Sequence, residues 1–392
     1  MEYSFTSPFI LGDYQEGAEP LTTVELSILR VLEEIKNKKH WNLKIKDPKI
    51  SGKWKAELSG HFEKEIIDYA FDELEYYADA FTENIVPGPV DKVYVADDYI
   101  PIETLEDFKA QVSKLENVDE SLKDYHPGSN NQVLDLVHPS LYPLIYGLSR
   151  AISTDVSPQE VPNWRESIGK GEIAEAPYDK EKVANEFLSR SSNDLSIYKS
   201  FKYQWLPSEF QVTEGKVRIL SYINNLHPEL FSKLYRSIES IFGLFVPLFS
   251  QCLTDSCIEN THEKRVDESS YYNESYEEFV ERILKAEGGW KGDPYDFSEA
   301  MEDDLYERYN DEIKVIPPKE IVFSEDRIKR KIKIDFSNSR LQIIVKLANI
   351  VLSPENPKYN GGVWHVEGME NENIVATGIY YYSNENVTES CL

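Results

Sequence analysis

Apolar residues recur at helical spacing near the start of the chain. Leu26, Ile28, Leu29, Val31, Leu32 and Ile35 follow a candidate cap at Thr22 or Thr23 and precede Lys36, Lys38 and Lys39. That pattern predicts an amphipathic helix whose basic end complements its dipole. A second stripe, Ile66, Ile67, Ala70, Phe71, Leu74 and Tyr77, predicts a helix from Glu63 to about Phe81, closed off by Pro87-Gly88-Pro89. Thr104 is placed as the cap of a third helix, with Glu106 and Asp107 in its first turn. The middle of the chain is mixed. Val137 to Pro143 reads as a proline-punctuated packed loop or short helix. Phe210–Val212, a turn at Thr213-Glu214-Gly215, and Lys216–Tyr222 read as a β-hairpin. Pro228 to about Thr254 reads as a helix, with Leu230, Leu234, Ile238, Ile241, Leu244 and Phe245 on one face. The period then changes. Leu341–Leu352 is β-branched and nearly continuously apolar, which predicts a well-buried strand; Asn373–Ser383 predicts a second. The fold class expected is α+β.

Length and charge narrow the function classes. At 392 residues the chain has room for roughly two or three domains. With 70 Asp+Glu against 42 Lys+Arg, the net charge of -28 argues against nucleic acid and against an anionic membrane surface, both of which need clustered cations. The 25 Tyr and 17 Phe argue against a solvating disordered protein. Cys252, Cys257 and Cys391 have neither disulfide-scaffold nor zinc spacing. Met1–Pro20 is acidic and unlike a leader, and no run reaches the ~18 apolar residues of a membrane span. The sequons at Asn273 and Asn386 are therefore read as chance matches, and the expected location is cytoplasmic or nuclear. Glu263 to Asp311 holds 16 acidic against six basic residues. It is read as a solvated surface insertion, partly disordered, or else as a docking site for a basic protein partner.

Candidate chemistry lies between the two predicted strands, in Tyr359-Asn360-Gly361-Gly362-Val363-Trp364-His365-Val366-Glu367-Gly368. In a strand His365 and Glu367 share one face. An imidazole and a carboxylate side by side are two-thirds of the facial triad of non-haem Fe(II) oxygenases. The bland alternative is a hydrogen-bonded His–Glu pair at a sheet edge. Of the upstream histidines (His40, His61, His126, His138, His227 and His262), His227 before Pro228 is the best candidate for a further ligand, although a His in that setting is usually a structural turn residue.

Longer motifs carry a resemblance. They include His126-Pro127-Gly128-Ser129-Asn130, Gln132 through Leu144, Gln204-Trp205-Leu206-Pro207, Ser221 through Pro228, Leu341 through Ile350 and Trp364-His365-Val366-Glu367-Gly368-Met369. In these the chain resembles the fungal domain-of-unknown-function family 4246 (DUF4246) over almost its whole length. The resemblance implies a helical region at 1–125 and an oxygenase-like region at 126–392, with an acidic insertion at 263–316. It further implies an incomplete double-stranded β-helix, cupin-like, at 325–392. His365 and Glu367 would hold Fe(II), 2-oxoglutarate would be the co-substrate, and Trp364, Tyr381 and Asn225 would line the pocket. The resemblance also implies a later histidine and a basic 2-oxoglutarate anchor. None follows among the 25 residues after Glu367, so the chain is read as a C-terminally truncated, weakly active or inactive member with an unknown substrate. The alternative is a non-catalytic acidic interaction protein.

Overall fold

The computed structural model describes residues 5, 21–80, 84–152, 164–176, 199–257, 265–266, 272–286, 299–316, 321–328, 330–363 and 365–388. The chain divides into two compact units, each built from separated stretches. One takes residues 18–97 and 261–331; the other takes 1–17, 98–260 and 332–392. This differs from the expected division at residues 125/126. The chain leaves one unit, supplies the remainder of the other, and returns.

The first unit is mainly helical. Thr22 caps the helix Thr23–Lys36 by accepting a hydrogen bond from the Glu25 backbone N–H at 3.2 Å. The helix Lys64–Ala80 presents Ile66, Ile67, Ala70, Phe71, Leu74 and Tyr77 to the core. There they meet Ile28, Val31, Leu32 and Ile35 from the first helix, together with Trp41 and Trp54. The second stripe is used as predicted; in the first, Leu26 is instead exposed and Leu29 only partly buried. The acidic block folds more than its composition suggested. Tyr276–Ala286 and Glu299–Glu312 are helices that bury Phe279, Val280, Ile283 and Leu305 between them. Arg265 is buried, and Val266 enters the main core of this unit.

The second unit combines helices with small antiparallel sheets. Ser208–Thr213 pairs with Lys216–Ile219 through a two-residue turn, Glu214-Gly215, both at positive φ. That is the hairpin predicted, and glycine fits the left-handed position. Arg340–Ile343 adds to the other edge of Ser208–Thr213. Phe210 and Val212 point from this sheet into the core, where Phe210 meets Phe242 of the helix Ser232–Ser256 at a ring separation of 5.0 Å. Among the described residues this is the one helix long and apolar enough to cross a membrane, but its Leu234, Ile238, Ile241 and Phe242 serve the core of the unit. A second sheet orders Leu347–Ile350, Val133–Val137 and Asp124–Tyr125.

Several expectations change. The helix Ile102–Glu116 begins two residues before Thr104, because the Pro101 carbonyl already accepts the first turn's bond from Leu105 N–H. The predicted strand Leu341–Leu352 is instead two short strands in two different sheets, and its last residues, Ile350 to Leu352, are exposed. Asn373–Ser383 forms no strand, and Asn373 itself is left-handed at φ +50. Gly378 lies so close to the helix Ser232–Ser256 that an added Cβ would stand 2.7 Å from the Phe245 ring. Tyr380 and Tyr382 turn inward beside Phe108, while Ile379 and Tyr381 face out. The alternation signalled a one-sided extended segment, and a helix lies under its buried side. The sheets described have two or three strands each, and no eight-stranded β-helix is among them.

Candidate functional site

His365 and Glu367 lie on an irregular segment held at both ends. Upstream, the Gln132 side-chain amide donates to the backbone carbonyls of Asn356 and Lys358, at 3.2 and 3.1 Å. Downstream, Glu372 accepts from the Trp205 backbone N–H at 3.0 Å, and Asn371 donates to Gln204 Oε1 at 2.7 Å. Gly361 and Gly368 take positive φ at the two bends. Between these anchors His365 Nδ1 is 2.8 Å from the Val363 carbonyl oxygen. A carbonyl only accepts, so Nδ1 carries a proton, and in the neutral ring the lone pair is on Nε2. Nε2 stands 3.7 Å from Glu367 Oε1, and the two side chains are 61% and 38% exposed. That separation is longer than a hydrogen bond. The pair is not in a strand, and its shared orientation comes from the bend.

Other candidates divide. Trp364 lies outside the described residues. Tyr381 is 58% exposed. Asn225, at φ +53, spends its amide on the backbone: Oδ1 accepts from His138 N–H at 3.1 Å and Nδ2 donates to the Leu136 carbonyl at 3.3 Å. It is a positioning residue for the end of the strand Val133–Val137. His227 Nδ1 faces the N–H groups of Glu229 and Leu230, a turn-capping role.

A different trio comes together. His126, Asp135 and His138 each offer a donor atom, all within 4.8 Å of one another. The pairing of Asp124 with Asp135 brings His126 to the end of the strand that carries Asp135, and His126 N–H donates to the Val133 carbonyl at 2.9 Å. His126 Nδ1 then meets Asp135 Oδ2 at 2.8 Å. The sequence contained a signal for this: an Asp inside the apolar run Val133-Leu134-Asp135-Leu136-Val137, preceded by a Gly-Ser-Asn-Asn turn.

The family model described as "Protein of unknown function (DUF4246)" matches residues 64–392, and its N-terminal domain model matches residues 2–57. The chain belongs to the DUF4246 family. No curated protein and no solved structure matches it. In this DUF4246 chain a cavity of about 280 Å³ opens in the helical unit, lined by Lys36, His40, Trp41, Lys46 and Asp97 among others. None of the site residues read from the DUF4246 motifs contributes to it.

Proposed function

We propose that this DUF4246 chain is an Fe(II)/2-oxoglutarate-dependent oxygenase-like protein in which His365 and Glu367 hold the metal. The observation that carries the reading is the free Nε2 of His365 beside Glu367. A backbone carbonyl fixes the tautomer that metal-ligating histidines use, and the carboxylate has room to close. The donor set, imidazole plus carboxylate, suits non-haem iron and leaves coordination positions open. When bound, Fe(II) and 2-oxoglutarate would supply O₂-dependent hydroxylation, releasing succinate and CO₂. The chain's own residues orient the two donors through the Gln132, Gln204 and Trp205 anchors and leave them open to solvent. Among the described residues the pair has no third His, Cys, Asp or Glu within ligand reach, so affinity is expected to be weak and turnover slow.

The test is anaerobic Fe(II) titration together with succinate release from 2-oxoglutarate, in the wild-type chain, His365→Ala and Glu367→Gln. Weaker Fe(II) binding in both variants is expected. Equal Fe(II) affinity in all three proteins would refute the assignment.

A further inference from the structure

We infer that His126, Asp135 and His138 form a second site, for a first-row divalent transition-metal ion, independent of the His365–Glu367 reading. Two imidazoles and one carboxylate make a donor set suited to zinc, iron, cobalt or nickel rather than calcium or magnesium. The donors lie close together at the end of the hairpin Asp124–Tyr125/Val133–Val137 and the turn after it.

A separate observation points to a missing ligand. The Asp135 side chain is only 4% exposed, and among the described residues its Oδ1 has no hydrogen-bond partner. A buried carboxylate oxygen left without a donor is costly, and its neighbours here include two potential metal ligands. The other oxygen, Oδ2, sits 2.8 Å from His126 Nδ1. That is close to the edge of about 3 Å that two adjacent donors span around one ion at bond lengths of about 2.1 Å. The same distance serves as a hydrogen bond when no ion is held. His126 is 41% exposed, which gives the site an entrance.

His138 determines how loading proceeds. Its Nδ1 accepts a long bond, 3.2 Å, from the Ser140 backbone N–H. Ligation through Nδ1 displaces that N–H. Ligation through Nε2 moves the ring proton to Nδ1, which then no longer accepts. Either route gives up the Ser140 contact, so metal binding and a local shift at residues 138–140 are coupled. The Asn225 side chain holds the His138 backbone by a separate bond and does not depend on the ring.

Co(II) titration of the full chain, followed by its visible d–d absorption and competed with Zn(II), tests the site. The proteins are wild type, Asp135→Asn, His126→Gln and the double variant His365→Ala/Glu367→Gln. Urea midpoints measured in EDTA report folding; His126→Gln, at a half-exposed position, provides the readout should Asp135→Asn fail to fold. The expected result is that His126→Gln and Asp135→Asn each weaken one Co(II) class by more than about tenfold, while the double variant retains it. A Co(II) spectrum and affinity unchanged in His126→Gln and Asp135→Asn would overturn the proposal, whatever the double variant does. Loss of all Co(II) binding in the double variant alone would overturn it too, while leaving the His365–Glu367 assignment in place.

Discussion

Replacing Arg265 should unfold the helical unit at much lower denaturant. Its guanidinium forms two forks. Nε and Nη2 donate to the two Glu73 oxygens at 3.0 and 2.9 Å, and Nη1 and Nη2 donate to the two Asp91 oxygens at 2.8 and 2.7 Å. Arg265 and Glu73 are buried, whereas Asp91 is partly open to water. Arg327 Nη2 also lies 3.1 Å from Glu73, near enough for an ion pair although not aimed as a hydrogen bond. In Arg265→Met, Glu73 therefore keeps only the poorly aligned Arg327 guanidinium and the Lys36 charge, and Asp91 loses its fork. Removing one member of a buried pair costs about 3–5 kcal/mol. The Asp91 share is discounted for its exposure, which leaves about 3 kcal/mol. At a urea slope of about 2 kcal/mol per molar, the midpoint falls by roughly 1.5 M. Trp41 and Trp54 are buried in this core, so tryptophan fluorescence reports the transition. Arg308→Met, at a half-buried position paired with Asp304 at 3.8 Å, is the control and should cost less than about 1 kcal/mol. The double variant Glu73→Met/Arg265→Met should be less destabilised than the sum of its singles, because it leaves no orphaned carboxylate at position 73. An Arg265→Met midpoint at or above wild type would refute the claim that this pairing holds the unit together.

Three further outcomes follow from the same structure. Burial pulls the Asp91 carboxyl upward, but the Arg265 hydrogen bonds and charge outweigh that and hold it well below the usual range. Its stabilisation is thus complete above about pH 4 and is lost as pH falls toward the depressed value; acid titration of the urea midpoint should show a shallower acid loss in Asp91→Asn. Lys36 is buried, which lowers its ammonium pKa from 10.5 to about 8, Glu73 opposing the shift. The unfolded chain then binds more protons between those values, so stability should rise by roughly 3 kcal/mol across that window, and chemical denaturation of Lys36→Met should lack the rise. Gly215, at φ +77 in the hairpin turn, has open space for a side chain, so Gly215→Val should cost only the backbone strain, about 1–2 kcal/mol by thermal or urea melt.

Helix stripes and the hairpin were legible because each is specified by local spacing. Thr22 before a 3.6-residue repeat, and Glu214-Gly215 between alternating runs, need no distant partner. The extended segments were less legible. Ile344, Val345 and Lys346 separate two short strands that go to different sheets, and composition carries no record of which edge each one finds. Segment 373–383 alternates as a strand does, yet the surface beneath it is the aromatic face of a helix. At the candidate site, the His365–Glu367 pairing was readable from two nearby letters, but the tautomer depends on Val363 and on anchors more than 150 residues away. The His126–Asp135–His138 trio required recognising Pro127 to Asn131 as a reverse turn, with Gly128, Asn130 and Asn131 at positive φ. Once that turn is drawn, the buried Asp135 has to face His126.

The acidic block shows how composition can conceal structural work. Counting charges makes residues 263–311 an expendable surface excursion, for which deletion looks like the natural test of partner binding. The structure places Arg265 and Val266 from this block in the core of the helical unit, beside Ile328 and Arg327 from just beyond it. Deleting the block would remove the cation that faces Glu73 and Asp91. Loss of partner binding would then report unfolding rather than recognition. Among the described residues of the block, exposed carboxylates lie on both helices: Glu277, Glu278 and Glu281 on Tyr276–Ala286, and a denser row, Glu302, Asp303, Asp304 and Glu307, on Glu299–Glu312, where Leu305 is turned inward. Docking of a basic partner is therefore tested by changing those four residues to glutamine and measuring a Lys-rich peptide. Because none of the four is buried, the stability read from urea unfolding should stay within about 1 kcal/mol of wild type. Peptide binding that persists in the quadruple variant would remove this face as the source of any basic-partner affinity, and the negative charge would then be read as a solvating surface.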